Sequence, residues 1–576
     1  MHFTFPAISP FLELVQHAQE IPDKIIVRDH YSNRTATAGQ LLQSVAALRE
    51  QIQSSQQQNG TSNGVNSNAV STNGTNGVSA SQNKFYYLIA APGLEYLTSM
   101  LTIFSLGGVM SAQSIVIKPE DVLRLFRVAK PKALLHASSL AEKVEAVKAL
   151  CAEQDNGTFS HLPFYSVGLP SLEKSESHTY GTEPASDEIA AQNGTLFFTS
   201  GTSGKQKGVL HSYAALLASA KERIQTWKMT KNDVFLNQKP GNWMGGIFGI
   251  LPSLISGACL ETCAGVFEPK WFWQRIKEGG VSVFDVAPTG YDRLAYYFDE
   301  HIAVLPADEV EAHIQGMIEV RVAGVSGSLL SPHTQKRWTE LRRGKPLLNL
   351  YGSTEMTLIC SMSWENPDYP DMCSIGPAVP GVEVKLVDGE MRLKAPTLFT
   401  KYISDDTTLT EKAFDEDGFF KSGDCATLNG NSYTLHGRAN IDVLHFWGFT
   451  IFTGEVETAL LSLPYIANAV VLPLPDKEHK ERTAAILQLK PDHPSKPPSL
   501  EALRKDLEDS SSLMLFKIPT VIYWLQAGEE ISLTVNGKIS KLDARKKFFG
   551  DDWQNKDGVE VMDLSGMEYW RMGGQC

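Results

Sequence analysis

The sequence predicts an α/β protein with a large N-terminal domain of layered sheets and helices and a small α+β C-terminal domain. Its 576 residues are too many for one compact core. Apolar runs of strand length alternate with amphipathic, helix-like stretches over most of the chain. The pattern changes near Gly437, where the helix-like EVETALLSL precedes the strand-like AVVLPL and TAAILQLK. We therefore place the first domain at 1–437, the second at 438–550 and a polar tail at 551–576.

Four apolar runs of the N-terminal domain stop at small or polar residues. The first, FYYLIAAPG at 85–93, is followed by the helix-like LEYLTSMLTIFSLGG. The others are VSVFDVAP at 281–288, VRVAGVSGS at 320–328 and LLNLYGSTE at 347–355. Because ligand groups gather at the carboxyl ends of strands in open α/β sheets, we expect a binding site at these ends.

Residues 54–83 consist almost entirely of Ser, Asn, Gly, Gln and Thr. Such a stretch has little apolar surface to bury, so burial cannot offset the entropy that is lost when a chain becomes ordered. The composition predicts a disordered, low-complexity insertion in a surface loop.

The composition also excludes several classes of protein. A net charge of −13 argues against general nucleic-acid binding, which depends on many lysine and arginine contacts to phosphates. No run reaches the roughly 18 apolar residues that a membrane span needs, and no basic N-terminal region precedes an apolar stretch. The seven cysteines are dispersed and lack zinc-ligand spacing. These features predict a cytoplasmic protein without a membrane span.

The segment LFFTSGTSGKQKGVLHS, residues 196–212, has the chemistry of a phosphate-binding loop between a strand and a helix. Glycines allow backbone N–H groups to converge on an anion, hydroxyls donate further hydrogen bonds, and lysines add positive charge. The Walker spacing G-x-x-x-x-G-K-[ST] is absent. A flexible turn between secondary elements is the alternative interpretation. The predicted nucleotide contacts are Thr199, Ser200, Gly201, Thr202, Ser203, Gly204 and Lys207.

This segment resembles the signature [ST]SGTTGxPKG of the adenylate-forming superfamily, which includes acyl-CoA synthetases, the adenylation domains of peptide synthetases and firefly luciferases. Gln206 stands where that signature usually has proline, a difference expected to affect loop stiffness more than phosphate binding. Further motifs similar to those of the superfamily follow in its order, which makes a chance match to one loop an inadequate explanation. They are VSGSLL at 325–330, NLYGSTE at 349–355, GEMRLKAPTLFTKY at 389–402, FFKSGD at 419–424, GRANID at 437–442 and LTVNGKISK at 533–541.

The resemblance implies a binding site for ATP and Mg²⁺. In it Tyr351 stacks on adenine, Thr354 contacts the α-phosphate and Glu355 helps to hold Mg²⁺, with Thr202 as a second metal ligand. Asp424 binds the ribose hydroxyls and Arg438 lies near the ribose or the phosphates. The remaining nucleotide contacts that it implies are Gly327, Ser328, Gly352 and Ser353.

The implied reaction has two steps. A substrate carboxylate attacks the α-phosphorus of ATP and releases pyrophosphate, and the acyl group then passes to coenzyme A. Lys538 supplies the cation of the first step, together with Thr354 and Glu355, because two anions must approach each other there. In the superfamily the small C-terminal domain is mobile and rotates between the steps, which places a hinge near Asn440.

Two alternatives concern the acceptor and the activity. The stretch GRANIDVLHFWGF carries one residue more than the usual GRxxDxIKxxGF, and Leu444 and His445 stand near the usual lysine. These differences are either harmless drift in a surface hinge or a change in domain alternation or thiol handling, which would affect the thioester step. A standalone adenylating enzyme that loads a carrier protein is one alternative. A catalytically degenerate AMP-binding sensor is the other.

The acid pocket is expected to be lined by PGNWMGGIFG at 240–249, by VSGS and by the start of NLYGSTE. Trp243 is a candidate for the pocket wall, and a core position is at least an equal alternative. No arginine or lysine stands out as a partner for a second carboxylate, which disfavours a dicarboxylate. The expected substrate is a small to medium-sized or aromatic acid.

Overall fold

The computed structural model divides the chain into two compact units, which are described separately below. The first comprises Met1–Pro370, Ile375–Glu383 and Lys394–Gly418, and the second comprises Asp371–Ser374, Val384–Leu393 and Phe419–Cys576. The boundary that the sequence predicts, between residues 437 and 438, therefore lies inside the second unit. The structure describes residues 2–61, 84–154, 157–169, 178–184, 193–200, 206–263, 267–328, 330–366, 374–439, 441–446, 449–490, 497–511, 513–532 and 539–565.

The elements are numbered in chain order over these described residues. The strands are β1 (His2–Pro6), β2 (Ile25–Asp29), β3 (Arg34–Thr37), β4 (Phe85–Ile89), β5 (Val109–Gln113), β6 (Pro131–Ala137), β7 (Phe164–Val167), β8 (Thr179–Glu183), β9 (Asn193–Ser200), β10 (Gln206–Ser212), β11 (Val234–Asn237), β12 (Cys259–Thr262), β13 (Val283–Val286), β14 (Val322–Ser326), β15 (Leu348–Ser353), β16 (Thr357–Ser361), β17 (Ser374–Gly376), β18 (Glu383–Val387), β19 (Glu390–Lys394), β20 (Lys401–Ile403), β21 (Phe420–Asn429), β22 (Ser432–Arg438), β23 (Val443–Phe446), β24 (Phe449–Phe452), β25 (Ile466–Asp476), β26 (Lys480–Leu489), β27 (Val521–Trp524) and β28 (Val559–Val561). The α-helices are α1 (Phe11–Glu20), α2 (Ala38–Thr61), α3 (Leu94–Ser105), α4 (Pro119–Val128), α5 (Ala141–Glu153), α6 (Tyr213–Trp227), α7 (Met244–Ser256), α8 (Pro269–Lys277), α9 (Pro288–Tyr297), α10 (Ala307–Glu319), α11 (Pro332–Leu341), α12 (Leu409–Lys412), α13 (Thr453–Ser462), α14 (Leu500–Ser510) and α15 (Lys541–Phe548).

The first unit contains two large sheets, with strand orders β20-β10-β9-β5-β4-β6-β7 and β16-β15-β14-β13-β11-β12-β2-β3. Their central strands are parallel and covered on both faces. In β4, for example, Tyr86 and Leu88 join the core that contains α3, while Phe85, Tyr87 and Ile89 join the core that contains α4 and α5. The largest core takes side chains from both sheets and from α2, α3, α6 and α7. The predicted α/β fold class is confirmed.

Helix α2 continues to Thr61, so it includes the first residues of the stretch 54–83 for which the sequence predicts disorder. Ile52 is fully buried near this end, and the Ser55 and Gln56 side chains hydrogen-bond to Tyr165 and Tyr86. Polar residues can extend a helix when they find partners on the surface beside it, which composition alone does not show. Residues 62–83 lie outside the described part of the chain.

The second unit contains a sheet with the strand order β22-β21-β19-β18 and a second sheet with the order β24-β23-β26-β27-β28, in which β25 also pairs with β26. Alternate residues of β25 face opposite sides of the second sheet. Val471 packs with α13 and α14, whereas Val470 and Leu472 pack with α15. A β-sheet covered by helices on both faces agrees with the α+β pattern of the sequence.

Residues 551–565, which the sequence places in a polar tail, pack on the second unit. β28 pairs with β27, and the Trp553 and Leu564 side chains are each 4% exposed. Trp553 and Leu564, together with the partly buried Val559 and Met562, pack this segment against the second unit. Residues 566–576 lie outside the described chain.

No helix in the described ranges is both long enough and apolar enough to cross a membrane.

Candidate active site

The predicted phosphate loop joins two antiparallel strands of the first unit. β9 pairs with β10 from Ser200 opposite Gln206 onward, and residues 201–205 between them are outside the described chain. The helix that the sequence predicts after this segment is α6 (Tyr213–Trp227), and the structure adds the strand β10 before it. Residues 206–212 form a strand because they pair with β9 on one side and with β20 on the other. Gly208 packs so closely on β9 that an added Cβ would lie 2.7 Å from Leu196.

Lys207, predicted as a nucleotide contact, is held beside the predicted metal ligand Glu355. Its Nζ lies 3.2 Å from Glu355 Oε1 and 3.8 Å from the centroid of the Tyr402 ring. Tyr402 donates its hydroxyl to the same Glu355 oxygen over 2.8 Å. The side chains of Lys207 and Glu355 are 24% and 15% exposed. Three distant segments therefore form one largely buried cluster of a cation, a carboxylate and a phenol. Tyr402 was not singled out from the sequence, although it ends the motif at 389–402.

The turn that carries Thr354 and Glu355 connects the antiparallel strands β15 and β16. Gly352 is required at its start, because an added Cβ would lie 2.1 Å from the carbonyl oxygen of Thr357. The backbone N–H of Phe399 donates to the Glu355 carbonyl over 2.7 Å, which holds the turn from one side. The catalytic and metal-binding candidates are thus presented by a rigid turn.

His211 holds the same turn from the other side and was missed by sequence reasoning. It is fully buried on β10, and its Nε2 lies 2.7 Å from the Thr354 carbonyl oxygen. Burial lowers its pKa to about 4, against the opposing effects of the Thr354 hydrogen bond and the Glu355 charge. The imidazole is therefore neutral near pH 7, and Nε2 donates its hydrogen to the carbonyl.

Two hydroxyls among the predicted nucleotide contacts are buried without a hydrogen-bond partner in the described chain. They are Thr199 Oγ1, on the residue opposite Lys207, and Ser353 Oγ, next to Thr354. Buried polar atoms are rarely left unpaired, so such atoms at one site indicate a missing ligand or solvent.

The predicted adenine-binding stretch follows β14, and β14 runs parallel to β15 with Ser326 opposite Leu350. This register brings the ends of the VSGS and NLYGSTE motifs together at one sheet edge. Gly327 has a φ of +95° and open space where a Cβ would lie, and Ser328 is exposed. Tyr351 is 8% exposed. Because Gly327 has no side chain, a planar group can lie directly against its backbone.

In the second unit, Asp424 and Arg438 form a cross-strand pair on β21 and β22. Arg438 Nε lies 3.0 Å from Asp424 Oδ1, and Asp424 is 7% exposed. The preceding Gly423 has a φ of +72°, and its N–H donates to Glu390 over 3.0 Å. The two predicted ribose or phosphate contacts of this unit are therefore neighbours.

A buried lysine, Lys541, ties the end of the terminal motif to the segment after Arg438. Its Nζ lies 2.7 Å from Asp442 Oδ1 and 2.8 Å from Glu457 Oε1. Burial acts to lower its pKa, but the Glu457 and Asp442 charges outweigh it and leave the pKa raised. Sequence reasoning missed this residue, although it lies three positions beyond Lys538.

Several predicted residues fall outside the described chain and stay predictions. They are Gly201, Thr202, Ser203, Gly204, Asn440 and Lys538, together with the side chain of Ser200. Over the described ranges, no three or more His, Cys, Asp or Glu side chains are gathered as a metal site.

Comparison with known proteins gives the family. The sequence model of the AMP-binding enzymes matches residues 80–397, which include the loop, the 325–330 stretch and the Thr354–Glu355 turn. The chain belongs to the AMP-binding enzyme family. Its resemblance to the adenylate-forming superfamily is thereby confirmed.

The relatives of this AMP-binding enzyme include named CoA ligases. Acyl-CoA ligase oryP from Aspergillus oryzae is 28% identical over 97% of this chain and 96% of its own length. A malonate–CoA ligase from Arabidopsis thaliana is 25% identical over 80% of this chain and 77% of its own. The mitochondrial malonate–CoA ligase ACSF3 from Mus musculus is 26% identical, over 68% and 72%. The predicted enzyme class, an AMP-forming acid–thiol ligase, is confirmed.

Among solved structures, ATP-bound MatB from Rhodopseudomonas palustris is similar to this chain with a TM-score of 0.73. The match covers 94% of this chain and 99% of MatB at 18% identity. At that identity the likeness concerns the fold, and it agrees with the layered α/β architecture described above.

Proposed function

We propose that this AMP-binding enzyme activates a carboxylic acid with ATP and transfers the acyl group to coenzyme A. The observation that carries the proposal is the cluster around Glu355. Lys207 and Tyr402 contact the Glu355 carboxylate, and the neighbouring predicted nucleotide contacts Thr199, on the residue opposite Lys207, and Ser353, two positions before Glu355, carry buried hydroxyls without a partner in the described chain. This set offers donors and positive charge to a polyphosphate and a single carboxylate to a hard cation.

In this proposal the first unit binds the nucleotide through residues that the structure brings together. Lys207, Thr199 and Ser353 hydrogen-bond to phosphate oxygens, and Thr354 contacts the α-phosphate. Tyr351 and Gly327 receive the adenine at the shared edge of β14 and β15. Such preorganised donors stabilise the charge that develops as the carboxylate attacks.

Mg²⁺ fits the donor set, since it is commonly bound by one or two carboxylates together with the phosphates of a nucleotide. Glu355 would hold it, with Thr202 as the second protein ligand. When bound, the ion neutralises part of the polyphosphate charge. Lys207 Nζ lies 3.2 Å from Glu355 Oε1, so it can hold that carboxylate in a fixed orientation.

In the second unit, Asp424 accepts hydrogen bonds from the ribose hydroxyls while Arg438 holds its carboxylate in place. Lys538 supplies the cation of adenylation, and the domain after Arg438 rotates near Asn440 before the thiol attacks. Transfer to a carrier protein is the alternative acceptor. A degenerate sensor is the alternative to catalysis, and the retained Glu355 and Asp424 disfavour it.

The decisive experiment is ATP–pyrophosphate exchange with a broad panel of acids, followed by acyl-CoA formation with the acids that support exchange. Malonate belongs in the panel because relatives are named malonate–CoA ligases. We expect exchange with at least one acid and an acyl-CoA product from it. Exchange without acyl-CoA, but with loading of a holo carrier protein, would support the alternative acceptor, and no exchange at all would support the sensor.

Lys538→Ala is expected to abolish exchange, because the substitution removes the positive charge proposed to offset the repulsion between the two approaching anions. Lys546→Ala is the matched control, since Lys546 is an exposed lysine of the neighbouring helix α15. Unchanged exchange in Lys538→Ala would refute the proposed role of this lysine.

We also propose a cytoplasmic location, on the dispersed cysteines of the sequence. One relative is named as mitochondrial. Microscopy of the tagged chain with a mitochondrial marker distinguishes the two locations.

A further inference from the structure

Tyr402 of β20 contacts two members of the candidate active site with two different parts of its side chain. Its hydroxyl donates to Glu355 Oε1 over 2.8 Å, and the Lys207 Nζ lies 3.8 Å from the centroid of its ring. Tyr402 is 9% exposed, so both contacts are shielded from most of the solvent. In the proposed function Glu355 binds Mg²⁺ and Lys207 binds phosphate oxygens, and Tyr402 has no role of its own.

The register of the sheet explains why the Tyr402 ring reaches Lys207. β20 pairs with β10 in antiparallel fashion, with Tyr402 opposite Val209. Directly opposite residues share a face of the sheet, and so do residues two positions apart along a strand. Tyr402 and Lys207 are therefore diagonal neighbours on one face, at a separation that an aromatic ring and a long side chain can span.

The short segment that carries Tyr402 holds Glu355 at two points. The Phe399 N–H donates to the Glu355 carbonyl over 2.7 Å, and the Tyr402 hydroxyl donates to the carboxylate. The ring centroids of Phe399 and Tyr402 are 4.5 Å apart, and the Tyr402 N–H donates to Thr410 Oγ1 over 3.0 Å. Because both the backbone and the ring of Tyr402 have partners, its hydroxyl oxygen has a fixed position beside Glu355.

The two contacts of Tyr402 depend on different physical interactions. A hydrogen bond to an ionised carboxylate is stronger than one between neutral groups. An ammonium over an aromatic ring is attracted by the negative face of the ring, and more strongly when water is excluded. A phenylalanine at this position would keep the ring contact and lose the hydrogen bond, whereas a leucine would lose both. The two contacts can therefore be removed separately.

We propose that Tyr402 is a positioning residue for the adenylation step. Its hydroxyl holds the Glu355 carboxylate in the orientation that binds Mg²⁺, and its ring holds the Lys207 ammonium where the nucleotide phosphates bind. The inference rests on the proposed function and deepens it. Because one rigid phenol contacts both groups, it fixes the distance between the metal-binding carboxylate and the phosphate-binding ammonium.

The test is isothermal titration calorimetry of the full chain with ATP, in excess Mg²⁺ and in EDTA, which requires no turnover. Tyr402→Phe should raise the Kd of ATP in Mg²⁺ about tenfold and leave the Kd in EDTA within twofold, because only Glu355 loses a partner. Tyr402→Leu should also raise the Kd in EDTA, by about fivefold, because Lys207 loses the ring. The Mg²⁺ concentration for half-maximal ATP–pyrophosphate exchange should rise in both variants.

Two further proteins separate positioning from a general effect on stability. Tyr87→Phe is the matched control, because the buried Tyr87 hydroxyl donates to the Leu125 and Ala129 carbonyls. It should lower the melting temperature without changing either Kd. In Glu355→Gln, the added Tyr402→Phe substitution should change the Kd in Mg²⁺ by less than twofold, because the charged partner of the hydroxyl is already absent. If Tyr402→Leu does not fold, Tyr402→Phe and this double variant decide the result.

An unchanged Kd in Tyr402→Phe, an equal increase with and without Mg²⁺, or a full effect in the Glu355→Gln background would overturn the inference. A wild type that binds no ATP would instead refute the proposed function, on which the inference depends. The two failures are distinguishable, because in the first the wild type still binds ATP.

Discussion

Glu355 accepts contacts from two side chains on separate strands, Lys207 on β10 and Tyr402 on β20. Both reach the same oxygen, and among the described residues no side chain hydrogen-bonds to the second carboxylate oxygen, which can therefore bind a cation or solvent. At the scale of the residue, we therefore expect the exchange rate to depend more on the charge of the Glu355 side chain than on its size.

Glu355→Gln keeps the size of the side chain and removes its charge. We expect the exchange rate to fall about a hundredfold, because the carboxylate proposed to hold Mg²⁺ is lost. The exchange rate of the variant should also require a higher Mg²⁺ concentration than the exchange rate of the wild type. Glu365→Gln is the control, since Glu365 forms an exposed pair with Lys228. Exchange within twofold of the wild type would contradict the role of Glu355.

His211 makes stability depend on pH. Its pKa is lowered to about 4 by burial, whereas an unfolded chain binds a proton to histidine near pH 6.5. As pH falls from about 6.5 to about 4, the unfolded state therefore gains a proton that the folded state does not, and stability decreases by up to about 3 kcal/mol. Above this window the contribution of His211 does not change.

His211→Gln keeps a donor for the Thr354 carbonyl but cannot be protonated in this range. Denaturant titrations from pH 7 to pH 4 should show a smaller loss of stability in this variant than in the wild type. His161→Gln, at an exposed histidine, should retain the wild-type slope. Equal slopes in all three proteins would show that His211 does not titrate as described.

At the scale of the element, helix α15 is held at its first residue. Lys541 reaches Asp442 and Glu457, and Asp442 Oδ2 also accepts the Arg438 N–H over 2.9 Å. Gly437 permits this approach, because an added Cβ would lie 2.5 Å from the Asp442 Cβ. One carboxylate therefore connects β22, which carries Arg438, with the helix that follows the terminal motif.

Lys541→Met should destabilise the second unit by about 1–3 kcal/mol, because it leaves two partly buried carboxylates without their cation. Hydrogen exchange measured by mass spectrometry should show faster exchange in peptides that cover α15. Lys541→Arg should restore much of the protection, and Lys546→Met, at an exposed position, should change little. Unchanged exchange in Lys541→Met would exclude this anchoring role.

At the scale of the whole molecule, the segment after residue 550 belongs to the second unit. The Met562 N–H donates to Thr520, and Arg482 donates to the Met562 carbonyl over 2.8 Å. Trp553 adds a buried aromatic ring, which lies 5.9 Å from the Arg482 guanidinium carbon. Residues 551–565 therefore cover apolar surface and a strand edge of this unit.

Truncation after residue 550 should lower the melting temperature by several degrees, since it exposes the edge of β27 and the apolar surface beneath Trp553. Truncation after residue 565 is the control, because it keeps β28, Trp553 and Leu564. Differential scanning calorimetry measures both. Equal melting temperatures would mean that the segment contributes nothing to stability.

The sequence by itself determined the α/β class and the family, because the motifs that carry both are contiguous. In a glycine-rich loop with lysines, or in a strand that ends in YGSTE, the functional groups lie within a few consecutive residues. The same locality explains two differences. The pairing of β10 and the packing of residues 551–565 depend on neighbours that are remote in the chain, so local composition did not predict this strand and predicted a polar tail for residues 551–565.

Only the tertiary structure decided which side chains meet. Lys207 and Glu355 are separated by 148 positions, and Lys239 and Ser326 by 87, so their contacts depend on sheet order and register. Burial is likewise a property of the packed layers. From the sequence, a lysine or arginine in an amphipathic stretch is predicted to be an exposed cation. Only the packing of α6 and α7 shows that Arg223 is a buried cation.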